Sequence, residues 1–262
     1  MYRLANRFSF LLFFLLTTFS AAGQMRQDSI TGVKDFNLDP LGNCYYLKGA
    51  DIVKINSRGK ELVRYSMKNI GAPSSFDVSN PMRILIFYAE FATIRILDNN
   101  LVDQSEIDLR ELGLLQPRVM AGSPDQGIWV YDEIPGTLMK IDVRLNKSSF
   151  SVDLNQLMGR RPNPTLLLAN QDWIILKDTR EIMVFDQFGS KVKSIPFEQE
   201  PHLIQLKDNL LMINLKNELI TYNLTLNAEA KTAVFCPPGC SKSLLSADKC
   251  WYILDQNLYI PQ

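Results

Sequence analysis

Asp172–Gly189, Asp-Trp-Ile-Ile-Leu-Lys-Asp-Thr-Arg-Glu-Ile-Met-Val-Phe-Asp-Gln-Phe-Gly, holds two apolar runs, Trp173–Leu176 and Ile182–Phe185, parted by a charged tip and closed by a glycine turn. Short apolar runs bounded by turn-forming residues are strands, and two of them around so brief a polar tip make a β-hairpin. The same grammar recurs along the chain. Aligned on the first residue of the second run, the hairpins start that run at Ile52, Ile94, Leu138, Ile182, Leu219 and Leu258, at intervals of 42, 44, 44, 37 and 39 residues. The runs that precede them are Cys44–Leu47, Ile84–Tyr88, Ile128–Tyr131, Trp173–Leu176, Leu210–Asn214 and Cys250–Leu254.

A period near 40 residues with about four short strands per unit is the pattern of a β-propeller blade, and six hairpins predict six blades. A lone four-stranded sheet of this kind would leave both apolar faces wet, whereas stacking against a neighbour on either side buries them. Tyr45, Phe87, Trp129, Trp173, Leu211 and Trp251 fall at similar places in their units and read as packing between blades. The last unit stops at Ile260-Pro-Gln, after its third strand, and Ser29–Val33 is available to supply the fourth. Pairing the two would close the ring without an open sheet edge. The expectation is one all-β domain over residues 24–262, a six-bladed propeller with four-stranded antiparallel blades closed by the N-terminal strand.

The units are unequal. Ile107-Asp-Leu-Arg-Glu-Leu-Gly and Val152-Asp-Leu-Asn-Gln-Leu-Met lie 45 residues apart and are predicted to form short helical turns between blades; Met67–Ser75 is a further long connection. Connections of this type share a face with the hairpin tips, so the longer ones crowd one side of it.

Met1–Gly23 carries Arg3 and Arg7, an apolar run Phe8–Phe19 and a small-residue end, Ser20-Ala-Ala-Gly, which reads as a signal peptide cleaved before Gln24. Its apolar core falls short of the roughly 20 residues a spanning helix needs, and no cysteine follows it to take a lipid anchor. The expected location is periplasmic or secreted, with no later transmembrane segment. The whole chain holds 28 basic and 28 acidic residues, and without its first 23 residues 26 against 28, so no basic excess recruits nucleic acid or an anionic membrane. Export permits disulfides, and four cysteines allow three pairings. Cys236-Pro-Pro-Gly-Cys240 is the expected pair, because Pro-Pro-Gly favours a turn that brings its ends together. Cys44 and Cys250 sit at matching positions in their units and, as small apolar residues, need no partner.

Chemistry is sparse. His202 is the single histidine, without a Gly-x-Ser-x-Gly elbow, a His-Glu-x-x-His helix or a glycine-rich phosphate loop, and it reads as structural. No cofactor is expected. Asp132 with Glu133, and Asp178 with Glu181, are carboxylate pairs at hairpin tips, where solvated turn residues are a better reading than glycosidase acids. The tips do offer a mixed surface: Phe91, Asp132, Glu133, Ile134 and Arg180, joined by Arg160 and Arg161 from a long connection. Exposed apolar residues beside arginines resemble an interaction patch more than a catalytic cleft.

At Asp39–Lys60 the pattern Asp-x-x-Gly-Asn-x-Tyr-x-Leu, then Ile-x-Lys-Ile-Asn-x-x-Gly-Lys, resembles the repeat of bacterial six-bladed propellers of the NHL and TolB-like type. That resemblance implies a fold shared by lactonases, sugar-acid hydrolases, ligand sensors and docking modules, and so selects no activity. Its lactonases imply a channel calcium held by Glu, Asp and Asn, for which Asp39, Asp77, Asn170, Lys207, Asp208 and Asp248 are the inner-strand candidates. The leader is similar in style to those of exported Bacteroidetes proteins, some of which are periplasmic subunits of outer-membrane export machinery. The leading expectation is a non-enzymatic exported module that binds a protein partner in an outer-membrane or envelope complex. The alternatives are a calcium-dependent lactonase or hydrolase, and a small-ligand sensor, which needs an open apolar-walled channel with a few converging polar groups.

Overall fold

Trp173–Lys177 and Glu181–Asp186 pair antiparallel, with Trp173 opposite Asp186 and Lys177 opposite Ile182, and Leu166–Ala169 and Lys191–Pro196 flank them to complete a four-stranded sheet. This is the fourth of six such sheets in a computed structural model that describes residues 29–261 apart from 68–69, 150, 216–217, 234–236, 238 and 247–248. The expected signal peptide, Cys236 and Asp248 lie outside the described residues.

Blade 1 is Asp35–Leu38, Cys44–Lys48, Asp51–Ile55 and Glu61–Ser66, and blade 2 is Ser75–Asp77, Ile84–Tyr88, Thr93–Leu97 and Asp103–Asp108. Blade 3 is Pro117–Gly122, Ile128–Asp132, Thr137–Ile141 and Lys147–Ser149, and blade 5 is Ile204–Lys207, Leu210–Leu215, Glu218–Asn223 and Ala228–Ala233. Blade 6 joins Lys242–Ser246, Lys249–Leu254 and Asn257–Tyr259 to Ser29–Thr31, which pairs Ser29 with Tyr259, Ile30 with Leu258 and Thr31 with Asn257. The ring is closed as expected: an all-β, six-bladed propeller of four-stranded antiparallel blades.

Successive strand residues face opposite sides of a sheet, so an unbroken apolar run feeds two cores at once. Tyr45 packs with Ile84, Ile86 and Tyr88 of blade 2, while its neighbour Tyr46 packs with Trp251 and Ile253 of blade 6. Phe87 and Ile94 meet Met120 and Val130, Trp129 and Tyr131 meet Leu176 and Phe185, and Ile175 and Val184 meet Leu211 and Ile213. Each large side chain fully buried at such a joint contributes about 1.5–3 kcal/mol, and the stacking therefore supplies stability that no single sheet could.

The connection from the third to the fourth strand is a repeated five-residue turn. One side-chain oxygen accepts two backbone N–H groups: Asn56 from Arg58 and Lys60, Asp98 from Asn100 and Val102, Asp142 from Arg144 and Asn146, and Asp186 from Phe188 and Ser190, all at 2.8–3.0 Å. Asp39 does the same in the first turn of blade 1, which makes it a turn residue and not a channel ligand.

Two expectations change. Of the two inserted helical turns only the second is a helix, Leu154–Met158, with Asp153 accepting from Asn155 N at 2.8 Å. The first has the matching bond from Arg110 N to Asp108 and the matching buried anchor, Leu109, but its positive-φ glycine, Gly113, bonds back to Arg110 O one residue sooner after the anchor than Gly159 does in the helix, which leaves only a turn. Cys240 is a free, buried thiol, so the Cys236–Cys240 disulfide is not formed. Gly239, with φ +83°, turns the chain so that Cys240 packs inward, where burial pushes its thiol pKa up. Cys44 is likewise free and buried, as the core reading required, whereas Cys250 is disulfide-bonded.

Candidate functional site

Alternating strand directions put the hairpin tips and the blade-to-blade connections on one face, and backbone hydrogen bonds join them there. Leu109 N donates to Ala92 O at the tip of blade 2, and Leu154 N donates to Gly136 O at the tip of blade 3, both at 2.8 Å. Each connection is then captured at its far end by the tip of the next blade. Asp132 accepts from Leu115 N and Gln116 N at 2.8 and 2.7 Å, and Asp178 accepts from Asn163 N at 2.6 Å.

These bonds overturn the solvated reading of the tip carboxylates. Asp132 is 1% exposed and Asp178 0%, because each is covered by the connection it anchors. Burial alone would raise the Asp178 pKa, but bonds from Arg160 and from backbone N–H groups outweigh it and hold the carboxyl below the usual range. Arg160 bonds both Asp178 and Glu181. Glu133, also buried, accepts from Gln116 Nε2 at 2.9 Å and Arg118 at 3.1 Å, and lies 3.4 Å from Arg161 Nε. Arg118 was absent from the sequence reading, since its role appears only when the inner strand of blade 3 is laid beside the tip of that blade. The two arginines are thus engaged in framing the long connection.

Phe91, Ile134 and Arg180 remain at the surface, with Phe91 44% and Ile134 52% exposed. Leu115 on the connection from blade 2 and Leu157 on the short helix are exposed as well. The four apolar side chains sit on consecutive elements of blades 2 to 4 that are hydrogen-bonded to one another. On the opposite face Leu41, Met82, Val102, Val143, Leu145, Phe188 and Leu226 are also exposed, on six turns spread over five blades.

The first strand of every blade lines a central channel of about 270 Å³. Polar groups on or beside these strands bridge each joint of the ring. Asn37 Nδ2 donates to Phe76 O at 2.8 Å, Asp77 accepts from Gly122 N at 2.9 Å, and Arg118 Nε donates to Pro164 O at 3.3 Å. Asn170 Nδ2 donates to Asp208 O at 2.6 Å, Gln205 exchanges two bonds with Leu245 at 2.8 and 2.9 Å, and Lys242 donates to Asp35 and Asn37 at 2.7 and 3.0 Å.

No protein-family model matches the chain, and no curated protein matches its sequence. Solved structures do match its shape. The Pan2 WD40 domain of Neurospora crassa aligns with a TM-score of 0.62 at 9% identity over 87% of this chain and 88% of that one. Virginiamycin B lyase from Staphylococcus aureus gives 0.60 at 12% identity over 88% and 80%. The extracellular domain of BT4673 from B. thetaiotaomicron gives 0.58 at 11% identity, over 88% of this chain and 33% of that one. At such identities the shared property is the fold.

The calcium that the lactonase alternative implies does not fit the channel residues. The carboxylates that line it are Asp35 and Asp77; the Lys242 ammonium occupies Asp35 and Asn37, and Asp77 is spent on the N–H groups of Ser79 and Gly122. Among the described residues no group of three or more His, Cys, Asp or Glu could hold a metal ion. Asn170 donates Nδ2 to the backbone O of Asp208 and accepts from Asp172 N and Trp173 N on Oδ1, and Lys207 and Asp208 are exposed.

His202 packs at the joint of blades 5 and 6, with Nδ1 2.9 Å from the buried Ser243 Oγ and its backbone O accepting from Ser243 N. Burial lowers its pKa from the ordinary 6.5, opposed by a bond to the Asn214 side chain. A folded pKa below the unfolded one makes this stability present above the unfolded value and lost as pH falls through the folded value. The melting temperature is therefore expected to fall as pH drops below the unfolded value of about 6.5, and His202→Gln is expected to flatten that part of the profile. Thermal melts across this range check it.

Proposed function

We propose that the protein is an exported, non-enzymatic propeller that docks a protein partner of an outer-membrane or envelope complex through the hairpin-tip face of blades 2 to 4. The observation that carries this reading is the run of exposed Phe91, Leu115, Ile134 and Leu157 on consecutive tips and connections. Contiguous apolar surface on a preorganised frame is what a partner interface needs, since little ordering entropy is lost on binding. The Arg118–Glu133–Arg161 and Arg160–Asp178–Glu181 contacts, centred on the buried Glu133 and Asp178 carboxylates, supply that frame. The extracellular BT4673 domain offers a precedent for this fold outside the cytoplasm, and no described helix is long and apolar enough to cross a membrane.

Affinity capture from the native envelope tests it with two triple variants. Phe91→Asp with Ile134→Asp and Leu157→Asp should lose the partner with melting unchanged, while Met82→Asp with Phe188→Asp and Leu226→Asp on the opposite face should retain it. The reverse pattern contradicts the proposal.

A further inference from the structure

The central channel is two-sided. Blades 1 and 2 present the carboxylates Asp35 and Asp77 with Asn37, beside Leu38 and Phe76, whereas blades 3 to 6 present chiefly Val119, Leu168, Leu206 and Leu244, with Thr165, Gln205 and Lys242 as their polar members. Among the described residues Lys242 is the one cation of the wall, held over the Phe36 ring and against Asp35. Both bonds described for Asp35, from Phe36 N at 2.8 Å and from Lys242 at 2.7 Å, fall on Oδ1, which leaves Oδ2 as an unengaged acceptor. Lys242 gives two of its three protons to Asp35 and Asn37 and keeps the third. The two side chains are 31% and 25% exposed, so solvent reaches both.

A carboxylate oxygen and an ammonium proton, side by side and facing an apolar wall, complement a zwitterion with an apolar tail. We propose that the channel binds a free apolar α-amino acid, its ammonium on Asp35 Oδ2, its carboxylate on Lys242 Nζ and its side chain against Leu168, Leu206 and Leu244. The volume of about 270 Å³, near the lower end of the roughly 300–1,000 Å³ of small-molecule sites, suits a ligand of the size of a single amino acid. Neither half of the pair suffices alone: a monoamine would meet the Lys242 charge and a monocarboxylate the Asp35 charge. This inference concerns the channel and stands or falls separately from the docking face.

The test is isothermal titration of the full mature chain with L-leucine and L-phenylalanine, alongside isoamylamine and isovalerate, which each lack one charge. At least one amino acid is expected to bind with a Kd below about 1 mM, and each singly charged analogue at least tenfold more weakly, the loss expected for one charged hydrogen bond. Because Asp35→Asn or Lys242→Met also disturbs the ring-closing joint, Leu168→Phe is the cleaner variant. It narrows the apolar wall, leaves the charged pair intact, and should weaken leucine binding at least tenfold with melting of the free protein retained. Absence of heat with both amino acids at roughly 10 mM, equal binding of a singly charged analogue, or unaltered binding by Leu168→Phe would each overturn the proposal.

Discussion

Truncation before Lys34 is expected to lower the melting temperature by about 10–20 °C, and to make the chain self-associate. Ser29–Thr31 is the fourth strand of blade 6, and Val33, fully buried, packs with Ile30 into the core between blades 6 and 1. Losing that apolar burial and the ladder bonds removes about 5 kcal/mol, and each kcal/mol shifts melting by roughly 2–4 °C in a domain of this size. The strand Asn257–Tyr259 would then present unpaired N–H and C=O groups, an open template for other chains. Calorimetry and size-exclusion chromatography report the two effects. A truncated chain that melts like the intact one would show that the ring does not depend on its closing strand.

Asp178→Ala should be the most damaging single substitution among the tip residues, costing about 3–5 kcal/mol, or roughly 6–20 °C in melting temperature. The carboxylate is fully buried and serves Arg160 and Asn163 N together. Its removal strands Asn163 N, leaves Arg160 with Glu181 alone, and frees the connection from blade 3. Asp178→Asn keeps the shape but not the charge and should fall between. The folded carboxyl is held below its ordinary value, so its contribution is present above an unfolded pKa of about 3.9 and lost as pH falls through the lowered folded value. Wild-type and Asp178→Ala melts should therefore converge in strong acid. Exposed Arg180, one position from the hairpin's second strand, should change stability by less than about 0.5 kcal/mol when replaced by alanine.

The architecture was legible because blade stacking demands apolar runs on both faces of each hairpin, and such runs repeat visibly even where residue identity does not. The tip carboxylates were misread for a physical reason. Whether Asp178 is solvated depends on whether Asn163, fifteen residues upstream, passes over it, and no local pattern states that. A signal did exist: Asp132 ends its strand and Asp178 directly follows the equivalent strand of the next blade, and each comes after a proline-containing connection, Gln116-Pro117 and Pro162-Asn163-Pro164. The Cys236–Cys240 expectation failed because a turn that brings two positions together does not fix where their side chains point; Cys240 faces the core. The inner-strand bridges, from Asn37 to Lys242, were invisible for a third reason. Each joins residues about one blade apart in sequence, or the two ends of the chain, and only the closed ring makes them neighbours.

The docking claim is tested most directly by a photo-reactive benzophenone side chain placed in the native envelope at Ile134, on the tip of blade 3, or at Phe188, on the opposite face. Irradiation is expected to give one defined protein adduct from position 134 and none from position 188. An adduct from 188 alone, or equal adducts from both, would contradict the assignment of the hairpin-tip face.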